Sequence, residues 1–278
     1  MHRKAWPLCV LVVARVSPSS SSGKGSAHMT ATTYLFLACA GFFAGLVDSL
    51  AGGGGLISLP ALLAAGVPPH IALGTNKVQS CLGTSVGVAR YLKRRLITPS
   101  IAVPAAIAAL VGSVGGARVA LLIPSDKLMM LIPPLIIVVA VITFFRRQFG
   151  AEDHFTKASR RDRVMAVIVG GVIGFYDGFF GPGTGTFLVF LFVLIFKFGF
   201  LRANANAKLV NFGSNISALI SFALAGKVMV LPALIMACCN IAGNYLGSGL
   251  AIKKGAALIK PVFGLVLAGL MIKILFFS

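Results

Sequence analysis

The chain has 278 residues with 25 Lys and Arg against 6 Asp and Glu, a net charge of +19, yet only 11% of its residues are charged and 58% are hydrophobic. A soluble domain of ordinary composition carries roughly 25% charged residues. A mean hydropathy of +0.96 and apolar runs such as 128-LMMLIPPLIIVVAVITFF-145 therefore exclude that class and read as membrane-spanning helices. The cations sit in short loops between apolar runs rather than along an amphipathic face: Arg90, Lys93, Arg94 and Arg95; Arg146, Arg147, Lys157, Arg160, Arg161 and Arg163; Lys253 and Lys254. That distribution speaks against nucleic acid and for cytoplasmic loops facing anionic lipid.

In chain order, residues 1–28 come first. Arg3 and Lys4 precede the short apolar run Ala5 to Ala14, then 17-SPSSSSGKGSAH-28. This extension reads as a signal-like segment or a non-native start ahead of Met29, outside the fold. Residues 33–66 follow without a cation cluster, 34 positions that would make a straight helix of about 51 Å against a hydrocarbon core of about 30 Å. Their middle holds 45-GLVDSLAGGGG-55, glycines that weaken a helix most after proline. The stretch is thus expected as two short pieces, either a half-helix pair that turns back within the membrane or two short crossings. Three ordinary spans are expected next, near 71–92, 98–122 and 127–146.

The second part repeats the first. Asp48, Gly52 and Gly54 match Asp177, Gly181 and Gly183 of 174-GFYDGFFGPGTG-185; Lys77 matches Lys208, and Pro104 matches Pro232. The expected organisation is a first transmembrane repeat at 29–146, a basic cytoplasmic linker at 147–162 and a second repeat at 163–278. Spans are expected near 205–225, 229–251 and 256–276. If each broken pair starts and ends on one face, the loops at 90–97, 146–163, 197–204 and 251–256 share the cytoplasmic side. The fold class is then an all-α polytopic membrane protein of two inverted repeats, each a Gly-broken helix pair plus three transmembrane helices.

Breaking a helix at glycine frees backbone N–H groups, and a half-helix N-terminus attracts anions. Two such breaks facing each other would build an anion site near the midplane. For single glycines such as Gly83 and Gly174, close helix packing is the simpler reading. Four glycines in a row, and 181-GPGTG-185, point instead to a functional break. Candidate substrate ligands are Gly52, Gly53, Gly54, Gly55, Gly181, Gly183 and Thr184 at the breaks, with Thr75, Asn76, Lys77, Asn206, Lys208 and Asn211 downstream. Gln79, Ser80, Asn215, Asn240 and Asn244 are further donors. Of the six acidic residues only Asp48 and Asp177 lie in apolar segments, which marks them as candidates to carry a coupling proton. The competing reading is structural: Asp48 paired with Lys77, and Asp177 with Lys208.

Five cysteines lack any CxxC pair and four histidines lack metal-ligand spacing, so neither a metal nor another cofactor is expected. With no nucleophile–base constellation either, the chain reads as a non-enzyme. The partners this reading allows are a small anionic substrate, membrane lipid and a homo-oligomeric copy.

From about residue 33 to the end, the sequence resembles the TauE/SafE family of sulfite-exporter-type permeases. The residues that carry the resemblance are 45-GLVDSLAGGGGLISLPALLAAGVPPHIALGTNK-77, 174-GFYDGFFGPGTGTF-187 and 205-ANAKLVNFGSN-215. The resemblance implies a multi-pass protein of the bacterial inner membrane that moves small sulfur-containing anions such as sulfite, thiosulfate or organosulfonates. The expected function is a secondary transporter of such anions, with proton coupling as one mode. A channel, or a carrier for another small oxyanion or solute, is the alternative.

Overall fold

The structure is a computed structural model that describes residues 29–145 and 152–254. The N-terminal extension, the first part of the linker and the span expected at 256–276 lie outside the described residues. Among the described residues the secondary structure is helical, in nine elements. These are α1 (Ala31–Ala51), α2 (Gly55–Ala64), α3 (Pro69–Lys93), α4 (Pro99–Leu122), α5 (Ser125–Phe145), α6 (Arg160–Phe179), α7 (Thr184–Phe196), α8 (Phe200–Leu224) and α9 (Val230–Lys254).

Local chemistry sets the ends. Thr30 caps α1 by accepting from the Thr33 N–H, and prolines open α3 and α4 at their first turns, where a missing N–H costs nothing. Ser159 and Asp162 form a reciprocal capping box that starts α6 at Arg160, inside the stretch expected as basic linker. The S-x-x-D spacing is the signal that places it there. These hydrogen bonds also hold the Asp162 carboxyl below its ordinary pKa.

Both interrupted stretches break at the glycines, but unequally. α1 has 21 residues and α2 has 10, about 31 Å and 15 Å of helix. α6 has 20 and α7 has 13. The expectation of two short pieces is therefore corrected: a full-length helix runs up to each break and a short one leaves it. After the first break the chain doubles back, because Gly54 lies against Ala44 and the Asp48 side chain.

Contacts between loops define two faces. On one, the linker is tied to the α7–α8 turn: His154 N–H donates to the Lys197 carbonyl at 3.1 Å. Arg202 bonds Thr98 Oγ1 at 2.9 Å and Asp153 at 3.2 Å, with its guanidinium over Phe155 and Phe198. Arg90 meets the Tyr245 carbonyl and ring on the same side. This face gathers the described cation-rich loops. On the other, His70 bonds Ser125 at 3.0 Å and the Ala120 carbonyl at 3.1 Å, and Met229 N–H donates to Thr75 Oγ1 at 3.0 Å. Lys127, Lys227 and the exposed Arg118 belong to that side.

Helix directions follow. α1 runs parallel to α9, with Gly41 beside Met236, Gly45 beside Asn240 and Gly247 beside Leu46 and Ser49. α4 runs parallel to α6, with Ala105 at Gly170, Ala109 at Gly174 and Ser113 at Gly178. The first broken pair thus comes in from the cation-poor face and the second from the cation-rich face. The contacts are reciprocal: the fourth helix of each half packs on the first helix of the other, and α3 packs against α8. Small residues let these backbones touch, the usual means of helix association where lipid removes the hydrophobic drive. The outer surface is apolar, with Leu122, Val111 and Ile107 of α4 and Val172 of α6 well exposed. Ala31–Leu50, Pro99–Leu122, Phe200–Leu224 and Val230–Lys253 are each long and apolar enough to span a bilayer. The chain is a helical membrane protein.

Two neighbouring glycines of α6 test the packing. A Cβ on Gly174 would overlap the Ala109 backbone, whereas one on Gly171 meets nothing within 4 Å. Gly171→Ala is expected to hold or raise the thermal midpoint of the detergent-solubilised protein, since alanine in a helix interior is worth about 1 kcal/mol over glycine. Gly174→Ala is expected to lower it clearly.

Candidate functional site

The two breaks meet back to back. Gly52 closes α1 in the left-handed region at φ 78° and Gly183 opens α7 at φ 82°, conformations that glycine adopts without strain. Thr186 N–H donates to the Gly52 carbonyl at 3.2 Å. Gly52 and Gly185 are so close that a Cβ on either would enter the other's backbone, and a Cβ on Gly55 would stand 3.0 Å from Pro182 Cα. Glycine at these positions serves the break and close packing together, readings that the sequence had set against each other.

The last carbonyls of α1 and α6 have no intrahelical donors, and side chains supply them. Tyr91 Oη–H and Asn204 Nδ2–H both donate to the Ser49 carbonyl, at 3.1 and 2.9 Å. Lys77 Nζ donates to the Asp177 carbonyl at 2.6 Å. A cation at a helix C-terminus also opposes the helix dipole. Asn204 and Tyr91 were absent from the expected set, although Asn204 stands in the polar run ANANAK within an apolar segment.

The charges are crossed. Lys77 of α3 pairs with Asp177 of α6 at 2.9 Å, and Lys208 of α8 pairs with Asp48 of α1. Both lysines are 1% exposed. Pairing within each half, as the sequence's structural reading had it, is therefore corrected. Each broken pair packs chiefly on the polar helix of its own half, and the lysines reach across to the carboxylates of the other half. Thr84 adds a hydrogen bond to the Asp48 carboxylate at 3.4 Å.

Between the breaks lies a polar cavity of about 20 Å³. The first half lines it with Asp48, Gly52, Gly55, Asn76, Lys77 and Ser80. The second supplies Asp177, Gly181, Thr184, Gly185, Asn211 and Asn215. Its size is close to one water-sized sphere. Asn215 Nδ2 donates to Asn211 Oδ1 at 3.1 Å, and Asn76 Oδ1 accepts from Ser58 and Gln79. Asp177 Oδ2 is buried and has no hydrogen-bond partner among the described residues.

Several expected ligands stand behind this wall. Gly53 and Gly54 shape the turn, and Gly183 sets the start of α7 against Val139. Thr75 caps the loop before α9. Asn206 Oδ1 accepts the Thr98 N–H at 2.8 Å and fixes the start of α4. Lys208 reaches Asp48 and not the cavity surface. Gln79, Asn240 and Asn244 form an amide ladder between α3 and α9, and Gly83 packs on Asn240.

Known proteins agree on the kind of molecule. The model of the family described as sulfite exporter TauE/SafE matches residues 37–274. A Sinorhizobium protein named probable membrane transporter protein ORF9 is 39% identical, over 86% of this chain and 91% of its own length. The probable membrane transporter protein YfcA of Escherichia coli K12 is 38% identical, over 84% and 87%. A probable membrane transporter protein of Haemophilus influenzae is 35% identical, over 81% and 88%. No solved structure matches the chain.

The crossed pairing has a direct test. Removing one partner of a buried ion pair costs about 3–5 kcal/mol, because the other charge is left uncompensated. Asp48→Asn and Lys208→Met are each expected to lower thermal stability sharply, and the double variant to recover much of the loss. Asp48→Asn with Lys77→Met is expected to recover none. A double-mutant cycle read by thermal unfolding separates the two pairings.

Proposed function

The chain belongs to the sulfite exporter TauE/SafE family, and from that premise we propose that it is a secondary carrier of small sulfur-containing anions: sulfite, thiosulfate or organosulfonates. The observation that carries this reading is the cavity between the two breaks. It joins a buried ammonium, backbone at helix starts, and amide and hydroxyl donors, the donor set an oxyanion needs when it leaves water.

Lys77 supplies the balancing charge. Asn76, Ser80, Thr184, Asn211 and Asn215 supply neutral hydrogen bonds, and Gly52, Gly55, Gly181 and Gly185 let the ligand approach the backbone. Lys208, Thr75, Asn206, Gly53, Gly54 and Gly183 hold this wall in place. Asp48 and Asp177 are the carboxylates that a coupling proton requires. At about 20 Å³ the cavity is close to one water in size, so an anion of four or more heavy atoms enters only when the helices around it part. That requirement favours a carrier that rearranges over a channel with a standing path.

We further propose that the halves are inverted repeats, related by a pseudo-two-fold axis in the membrane plane, and that they expose the cavity to each side in turn. The cation-rich face is then the cytoplasmic one, and the protein is a multi-pass protein of the cell's inner membrane.

A thermal-shift panel of sulfite, thiosulfate, methanesulfonate and non-sulfur oxyanions on the purified protein tests the reading. Ligand at 100 times its Kd adds about 2.7 kcal/mol of stability. Sulfur oxyanions are expected to raise the midpoint of the parent, and Ser80→Ala and Asn211→Ala to weaken the shift while still folding. No shift with any of these anions rejects the proposal.

A further inference from the structure

We infer that one proton travels with each singly charged anion, carried by Asp177, so that loading the cavity is electroneutral and a proton gradient drives the anion towards the less acidic side. The inference rests on the carrier reading and adds the coupling to it.

Charge balance around the cavity decides the coupling. Lys77 of α3 and Lys208 of α8 stand against Asp177 of α6 and Asp48 of α1. The other titratable groups close by are Tyr176, next to Asp177 with its hydroxyl donating to the Pro182 carbonyl at 2.6 Å, and Tyr91, bonded to the Ser49 carbonyl. α2 and α7 carry no titratable residue, and the only one on α4 is Arg118, exposed near its far end. With both pairs ionised the site is neutral. A bare anion would leave one uncompensated negative charge in a buried site, a costly state. Protonating one carboxylate restores neutrality.

The two carboxylates are not equivalent. Asp48 Oδ2 is held by Lys208 and Thr84, and Lys208 does not line the cavity. Neutralising Asp48 would strand the Lys208 ammonium where an anion in the cavity does not meet it. Asp177 has the opposite situation. Its Oδ1 holds Lys77, which lines the cavity with it, and its Oδ2 is buried without a partner. A proton on Oδ2 turns that unused acceptor into a donor. It also releases Lys77 to take the anion as its new counter-ion. The carboxylate gains one proton and the site gains one anion, so net charge is unchanged. Asp48–Lys208 stays ionised throughout as a strut between the halves.

Methanesulfonate is the probe, because a sulfonate stays a monoanion across the working pH range and brings no proton of its own. The full chain is reconstituted in liposomes with a trapped pH dye, and the membrane potential is clamped with potassium and valinomycin. Inward methanesulfonate flux is expected to acidify the lumen by one proton per anion and to be indifferent to a clamped potential of either sign. At subsaturating anion, the initial rate is expected to rise as external pH falls, by up to about tenfold per unit when one proton loads with each anion. In Asp177→Asn, flux is expected to fall, and the residual flux to carry no proton, to show a flat pH profile and to follow the potential. Parent flux that saturates but carries no proton and follows the potential overturns the inference and leaves the carrier reading standing. So does acidification that persists in Asp177→Asn. Absence of both flux and thermal protection with methanesulfonate and sulfite removes the carrier reading and the coupling together. If Asp177→Asn does not fold, the parent's proton-to-anion ratio and its response to potential decide the matter alone.

Discussion

Two lysines are buried at the centre of this membrane protein, and everything around them is arranged so that neither is left unpaired. A single ammonium in such surroundings is expensive enough to unfold the region. Each lysine lies on a long polar helix of one half, and each finds its carboxylate on the broken pair of the other. This crossing ties the halves together at the centre of the helical bundle. It also fixes where the breaks sit, because Asp48 and Asp177 occupy the last turns of α1 and α6, directly before the glycines.

The glycines make the crossing sterically feasible. The breaks approach until backbone touches backbone at Gly52 and Gly185, and the starts of α2 and α7 line the space left over. That space is small, polar and neutral in sum, lined almost equally by both halves. A site of this kind has donors and one cation to offer an anion. The symmetry is broken in one respect: Lys77 reaches the cavity and Lys208 does not. Two aspartates in matching sequence positions are thereby given different surroundings and different chemistry.

Much of this was legible in the residues. Apolar run lengths located the helices to within a few residues, the glycine clusters located both breaks, and the rarity of acids singled out Asp48 and Asp177. The loop cations anticipated which loops share a face, because unpaired charge in a membrane protein is confined to the ends of its helices. The partner of each charge was not legible. Spacing along the chain brings Asp48 nearer to Lys77 than to Lys208, and only the packing of one half on the other reverses that. The unequal lengths of α1 and α2 were hidden too, since glycine marks a break without saying how far the preceding helix runs. Thr75 and Asn206 look like Asn76 and Asn211 in sequence, yet their helical phase turns them towards loop backbones instead of the cavity.

The claim on which the account depends is that the space between the breaks is where the anion binds. A structure of the protein in lipid nanodiscs with saturating thiosulfate, whose two sulfur atoms stand out in density, tests it most directly. The expected result is thiosulfate between Gly52, Gly185 and Lys77, with the Lys77 ammonium turned from Asp177 to the ligand and Asp48–Lys208 intact. Thiosulfate bound elsewhere while both crossed pairs and the small cavity between the breaks stay unchanged would contradict it.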